Sequence, residues 1–113
     1  METRINSFLL ELGVSPALRG FRNACIGVRI LLDNPESGNQ ITKVLYPSIA
    51  REVGSTSSKV ERSIRTVIER MLDKQDYNRV VEMLGMHPNE DSGKYTVSEF
   101  LTLCAMRMRG AVE

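Results

Sequence analysis

The 113-residue chain has no tryptophan, one histidine and only two cysteines. A metal centre needs clustered soft ligands at set spacings. Cys25, Cys104 and His87 show no such spacing, so no metal is expected. The two cysteines sit inside apolar runs far apart in the sequence, which points to free buried thiols. Long apolar runs are missing as well. The best of them, Ala24 to Leu32, contains Gly27 and Arg29 and is too short to cross a bilayer. The N-terminal METRINSFLLELG lacks the charged-then-apolar layout of a signal peptide, so a cytoplasmic protein with no membrane partner is expected. Catalytic equipment is equally sparse. With no phosphate-cradling glycine loop and no nucleophile beside a placed base, neither an enzyme nor a cofactor is expected. No strand pattern, internal repeat or low-complexity tract occurs, and the length suits one domain over residues 1–113 with one core.

What the chain does hold is organised around Tyr46 to Arg70, YPSIAREVGSTSSKVERSIRTVIER. Ile49, Ala50 and Val53 give a first helix one apolar face. Gly54 can take positive φ and end it. Thr56 is the expected N-cap of a second helix, with Ser57 and Ser58 in its first turn; a Ser58–Glu61 capping box is the competing start. Val60, Ile64, Val67, Ile68 and Met71 then recur at helical spacing. Ala50 leaves room for a close crossing, and Val60 and Ile64 lock the second helix onto the first. This is a helix-turn-helix at about 46–72, whose second helix can enter a DNA major groove.

Once the apolar positions are buried, Lys59, Glu61, Arg62, Arg65, Thr66 and Arg70 remain on the outer face. Arginine can grip guanine O6 and N7 with two hydrogen bonds, and glutamate can accept from cytosine N4. Glu61, Arg62, Arg65 and Ser58 are therefore expected at bases. Lys59, Arg51, Lys43, Ser57, Thr56 and Arg70 are expected at phosphates. The bland alternative is a solvated face with a Glu61–Arg65 pair worth a few tenths of a kcal/mol. Net charge is only +1, but its distribution is uneven. Lys43 to Arg70 holds six basic and three acidic residues, whereas Asp76 to Glu99 holds two basic and five acidic. Such a domain would turn one end toward phosphate.

The remaining segments read as support. Arg4 to Leu12 suits a short helix stopped by Gly13. Ser15-Pro16 reads as the start of a helix running to about Asp33, with Leu18, Phe21, Cys25, Val28 and Leu32 facing the core. Gly20 and Gly27 share one face. They mark close backbone approach, or else simply cost about 1 kcal/mol each. Asn34 to Gly38 is a loop, and Ile41 to Tyr46 a helical turn or short helix. Pro47 belongs in the first turn of the next helix, with a kinked continuous helix from Ile41 as the other option. Tyr77, Val80, Val81 and Leu84 mark a helix ending at Gly85, and His87 to Lys94 is a loop. Thr96 and Glu99 form a capping box for a last helix reaching about Arg109. The expected fold is all-α, about six helices, with no strands.

Three stretches resemble one family: LLELGVSPALRGF, ITKVLYPSIAREVGSTSSKVERSIRTVIE and TVSEFL. They are similar to the C-terminal effector domain of the stage-zero sporulation protein A family, the master response regulators of endospore-forming bacteria. The similarity covers roughly Ser7 to Met108. It implies a six-helix effector domain of the broad response-regulator, winged-helix-like class. Such domains bind a short DNA box, often as head-to-tail copies, and activate or repress transcription. It also implies that Glu61, Arg62 and Arg65, which stand here in family form, face bases. Gly54-Ser55 departs slightly from the family's turn. Full-length members carry a phosphoacceptor receiver domain for which this sequence has no room. An excised effector domain or a stand-alone relative is therefore expected, with the opening Met1 favouring the latter and no phosphorylation switch inside the chain.

The leading expectation is a sequence-specific transcription regulator with double-stranded DNA as partner. The alternative is a protein-interaction module acting through RNA polymerase or a full-length relative. Leu101, Met106 and Met108 on the last helix motivate that alternative.

Overall fold

The computed structural model describes residues 2–74 and 77–112. Asp76, one of the acidic residues counted above, lies outside the described residues. Six α-helices occur among them: α1 Glu2–Glu11, α2 Arg19–Asp33, α3 Tyr46–Val53, α4 Ser57–Lys74, α5 Tyr77–Leu84 and α6 Val97–Val112. No strand occurs among the described residues, so the β-hairpin that gives winged helices their name is not found there.

Helix α2 is the axis of the fold, packed against α1, α3, α4 and α6. Its buried residues are Gly20, Asn23, Ala24 and Gly27, all small or short, together with Ile26, Val28 and Leu31. The apolar stripe read from sequence is turned away from this face. Of its members only Val28 is fully buried, while Leu18, Phe21, Cys25 and Leu32 are half-buried at the edge of the core. The physical reason is the closeness of the neighbours. A Cβ on Gly20 would lie 2.2 Å from the Ser63 carbonyl oxygen of α4, and one on Gly27 would lie 3.2 Å from Ile49 Cδ1 and Leu101 Cδ1. Phe21, Cys25 and Leu32 lie at the rim instead; Gly20 marks close approach to another helix's backbone, whereas Gly27 meets only the side-chain tips of Ile49 and Leu101.

The start of α2 also differs from expectation. Ser15 and Pro16 form a turn, in which Ser15 Oγ accepts from the Ala17 amide at 3.3 Å and the Ser15 carbonyl from the Leu18 amide at 3.3 Å. Leu18 then takes an extended backbone (φ −83°, ψ 140°), and the helix starts at Arg19 without a side-chain cap. Beyond α2, the loop after Asn34 is wound into a 3-10 turn, Pro35–Asn39. A π-helical turn, Ile41–Leu45, runs straight into α3. Pro47 sits in the first turn of α3, where no amide hydrogen is needed. Both readings of this segment therefore merge, because the wide turn carries the chain past the proline without a break.

At the other end, α6 is fastened by the capping box: the Thr96 amide donates to Glu99 Oε1 at 2.8 Å and the Glu99 amide to Thr96 Oγ1 at 3.0 Å. Phe100, Leu101, Cys104 and Met108 of α6 enter the core. Cys104 is fully buried, which pushes its thiol well above the usual range. Cys25 is half-buried, and its thiol donates to Asn6 Oδ1 at 3.0 Å. No described helix is long and apolar enough to cross a membrane.

Candidate nucleic-acid interface

The turn between α3 and α4 is made by backbone chemistry. Gly54 adopts the left-handed conformation (φ 68°, ψ 43°), and its amide and that of Ser55 both donate to the Ala50 carbonyl. An L-residue with a Cβ is disfavoured there by about 1–2 kcal/mol, which is why a glycine ends α3. Thr56 then caps α4, accepting from the Lys59 amide at 3.2 Å through Oγ1. The competing start at Ser58 is not used. Val60, Ile64, Val67, Ile68 and Met71 are all buried beneath α4, against Ile49 and Ala50 of α3 and the core. The buried line fixes what points outward.

Opposite it lie Ser58, Arg62 and Arg65, all exposed, with the half-buried Glu61 on the flank toward α3. These four fall within two turns, about 10 Å of helix. Glu61 and Arg65 approach to 3.5 Å, an i,i+4 pair. Arg65 also stands one turn from Glu69, which Lys94 holds at 2.9 Å. Lys94, first by hydrogen bond and then by charge, and Arg65 more weakly, keep the Glu69 carboxyl below its usual range. Arg62 makes no ion pair among the described residues. On the α3 flank, Tyr46 is buried, and burial followed by the nearby Glu61 charge raises its phenol.

The residues expected at phosphates are dispersed around this face. Thr56 and Lys59 are exposed and Ser57 half-buried in the first turn of α4. Arg51 is exposed in the last turn of α3, and Lys43 in the π-turn before it. Arg70 is exposed but stands about 16 Å along the helix from Lys59, beyond the cluster. Two further features were not picked out from sequence. Lys94, taken as part of a loop in the acidic half, is brought to α4 by its bond to Glu69. Asn23 of α2 donates to Ser63 Oγ at 2.8 Å, and Ser63 Oγ in turn donates to the Val60 carbonyl at 2.8 Å. The only signal for that junction was the glycine at position 20 opposite a serine.

Several basic side chains elsewhere are engaged in holding the fold. Arg79, Arg107 and Arg109 donate to the carbonyls of Glu11, Met83 and Leu31. Arg29 of α2 pairs with Glu52 of α3. On the helix-turn-helix, by contrast, Lys43, Arg51, Lys59, Arg62 and Arg70 make no ion pair among the described residues, and Arg65 makes only the exposed pair with Glu61.

Residues 5–108 match the family model described as Sporulation initiation factor Spo0A C terminal. The chain belongs to this family. A Spo0A C-terminal domain is the DNA-binding effector part of a sporulation regulator, a regulatory domain rather than a known enzyme family. The six helices without strands agree with an all-α domain of this kind.

Proposed function

We propose that this Spo0A-type domain is a sequence-specific transcription regulator that reads a short DNA box through the major groove with α4. The observation that carries the reading is the outward cluster Ser58, Glu61, Arg62 and Arg65 on a helix whose opposite side is locked into the core. Arg62 and Arg65 would take guanines, and Glu61 a cytosine amino group. Lys59, Arg51, Lys43, Ser57 and Thr56 would hold backbone phosphates on either side, with Arg70 reaching the strand where it leaves the groove. The whole chain acts as one domain in this reading.

One helix in one groove reads only a few base pairs, and a single module buries roughly 600–1,000 Å². We therefore propose that copies sit head to tail on paired boxes. A contact with RNA polymerase or a full-length relative is the weaker reading. Of the three side chains that motivated it, Leu101 and Met108 belong to the core, and Met106 alone is exposed, at 56%.

Selection of bound duplexes from a random pool, at stated salt, tests the main reading. A recovered consensus is expected. Enrichment of no sequence over the pool would refute it. Titration on one box, two boxes in phase and two boxes half a turn out of phase tests the pairing, and equal affinity per box in all three would refute that.

A further inference from the structure

Helix α2 meets α4 at the Gly20–Ser63 contact, and the Asn23–Ser63 hydrogen bond pins it there. Arg19 lies four residues before Asn23, on the same side of α2, and is exposed. Facing it on α4 is the line Lys59, Arg62 and Thr66. Between the two runs a groove of about 320 Å³, to which Ser55 of the turn also contributes. Three cations border this groove and no acidic residue lines it. None of the three is in an ion pair among the described residues. Arg19 and Lys59, unneutralised cations on either side of hydroxyl and amide groups, make a seat for phosphate, with Arg62 at its outer edge left to a base. The groove also borders the outward face of α4, on the flank away from α3. A strand edging the major groove that receives α4 would run along it.

We propose that this groove seats the DNA backbone and that Arg19 is a phosphate-binding residue, so that α2 grips DNA together with the helix-turn-helix. The inference rests on the major-groove reading of α4. It adds a third helix to the interface, beside α3 and α4, and explains why α2 approaches α4 at a glycine. Gly20 lets the backbone come close enough for Arg19 to stand beside Lys59.

The test measures affinity for a single-box duplex and for a random duplex between 50 and 200 mM salt. The wild type is compared with Arg19→Ala, Arg19→Gln, Arg19→Lys and, as a charge-matched control on α1, Arg4→Ala. Loss of one phosphate contact lowers the slope of log affinity against log salt by about 0.9, so the fourfold salt range should cost Arg19→Ala about 3.5-fold less affinity than it costs the wild type. The effect should be the same on both duplexes. Arg19→Gln should match it, Arg19→Lys should keep the slope, and Arg4→Ala should change nothing. Ethylation of individual phosphates should weaken wild-type binding at one position that no longer matters in Arg19→Ala. A wild-type slope in folded Arg19→Ala and Arg19→Gln would overturn the assignment while leaving the role of α4 intact. A wild type that fails to bind any duplex would overturn both.

Discussion

Gly20→Ala should be among the most damaging one-carbon changes in this protein. The added Cβ would lie 2.2 Å from the Ser63 carbonyl oxygen, 2.5 Å from Val67 Cγ2 and 2.8 Å from the Ser63 carbonyl carbon. Two of these are backbone atoms inside a hydrogen-bonded helix, so neither can turn aside. Helix α2 would have to back off by about 1 Å to restore contact distance, a cost at the upper end of the 1–3 kcal/mol typical of overpacking. The Asn23–Ser63 hydrogen bond, 2.8 Å long, would lengthen with it and forfeit about 1 kcal/mol. Alanine's better helix propensity returns at most about 1 kcal/mol. The net loss is about 3 kcal/mol, or roughly 12 °C in melting temperature at about 4 °C per kcal/mol. Two other glycines calibrate the result. At Gly54 nothing lies within 4 Å of a Cβ but φ is positive, so Gly54→Ala should lose only the backbone term of about 1–2 kcal/mol. At Gly27 the neighbours are the flexible tips of Ile49 and Leu101, so Gly27→Ala should be nearly neutral. Urea denaturation followed by circular dichroism gives all three. A Gly20→Ala protein as stable as Gly27→Ala would refute the crossing of α2 over α4.

Arg62→Ala and Arg65→Ala should each cost about 1–3 kcal/mol on the preferred box and relax specificity there, with random duplex little affected; equal losses on both duplexes would make them phosphate contacts. Lys59→Ala and Arg51→Ala should weaken all sequences alike and lower the salt slope by about one each, and an unchanged slope would remove either residue from the interface. Ala50→Leu, at a buried position under α4, should cost about 1–3 kcal/mol and impair DNA binding; full stability with intact binding would contradict the α3–α4 packing. Tyr95 donates to the Met86 carbonyl at 2.6 Å, and burial, with minor help from Tyr77 and Glu99, raises its phenol to about 12. The folded state thus holds this proton more tightly than the unfolded state, so its contribution is intact below about 10 and is lost as pH rises toward about 12. Tyr95→Phe should lower stability at neutral pH and flatten that alkaline decline; an equally steep decline would assign it to another group.

The parts of the fold legible in the sequence were those where one residue settles one geometry. Gly54 suited the end of α3, and Thr96 with Glu99 the start of α6, while Thr56 capped α4 in preference to the competing box at Ser58. In α4 a wide apolar line at positions 60, 64, 67, 68 and 71 left a single choice of buried face. Helix α2 was harder because much of its packing face, Gly20, Asn23, Ala24 and Gly27, is made of small or short residues. Glycine at 20 and 27 and alanine at 24 carry almost no hydrophobic signal, whereas Phe21, Cys25 and Leu32 carry a strong one from the rim. Periodicity follows apolar volume, and a helix held at close range buries its smallest residues. The start of α2 was misplaced for a related reason. Ser15-Pro16 has the local chemistry of a helix cap, but it serves a turn that is followed by the extended Leu18 before the helix begins.

The same logic separates the cations around α4, and it bears on how they would act. Local charge counts treated Lys94 as part of an acidic half and did not reach Arg19. The fold corrects both, because a lysine at the end of a loop reaches Glu69 while α2 carries Arg19 to the edge of the groove. Whether a cation proposed to face DNA already has a protein partner is therefore read from the fold, not from a charge count. Arg62 and Arg65 differ on this point despite standing three residues apart. Arg65 has Glu61 at 3.5 Å and would exchange that contact for a base, whereas Arg62 has no ion pair to give up. The exposed pair is worth about 0.3–0.5 kcal/mol, too little to oppose a bidentate guanine contact of about 1–3 kcal/mol. In the proposed reading its use would be orientation. Glu61 restricts the Arg65 guanidinium before DNA arrives and stands beside it, so one short stretch of helix offers both a donor fork and an acceptor to neighbouring base pairs.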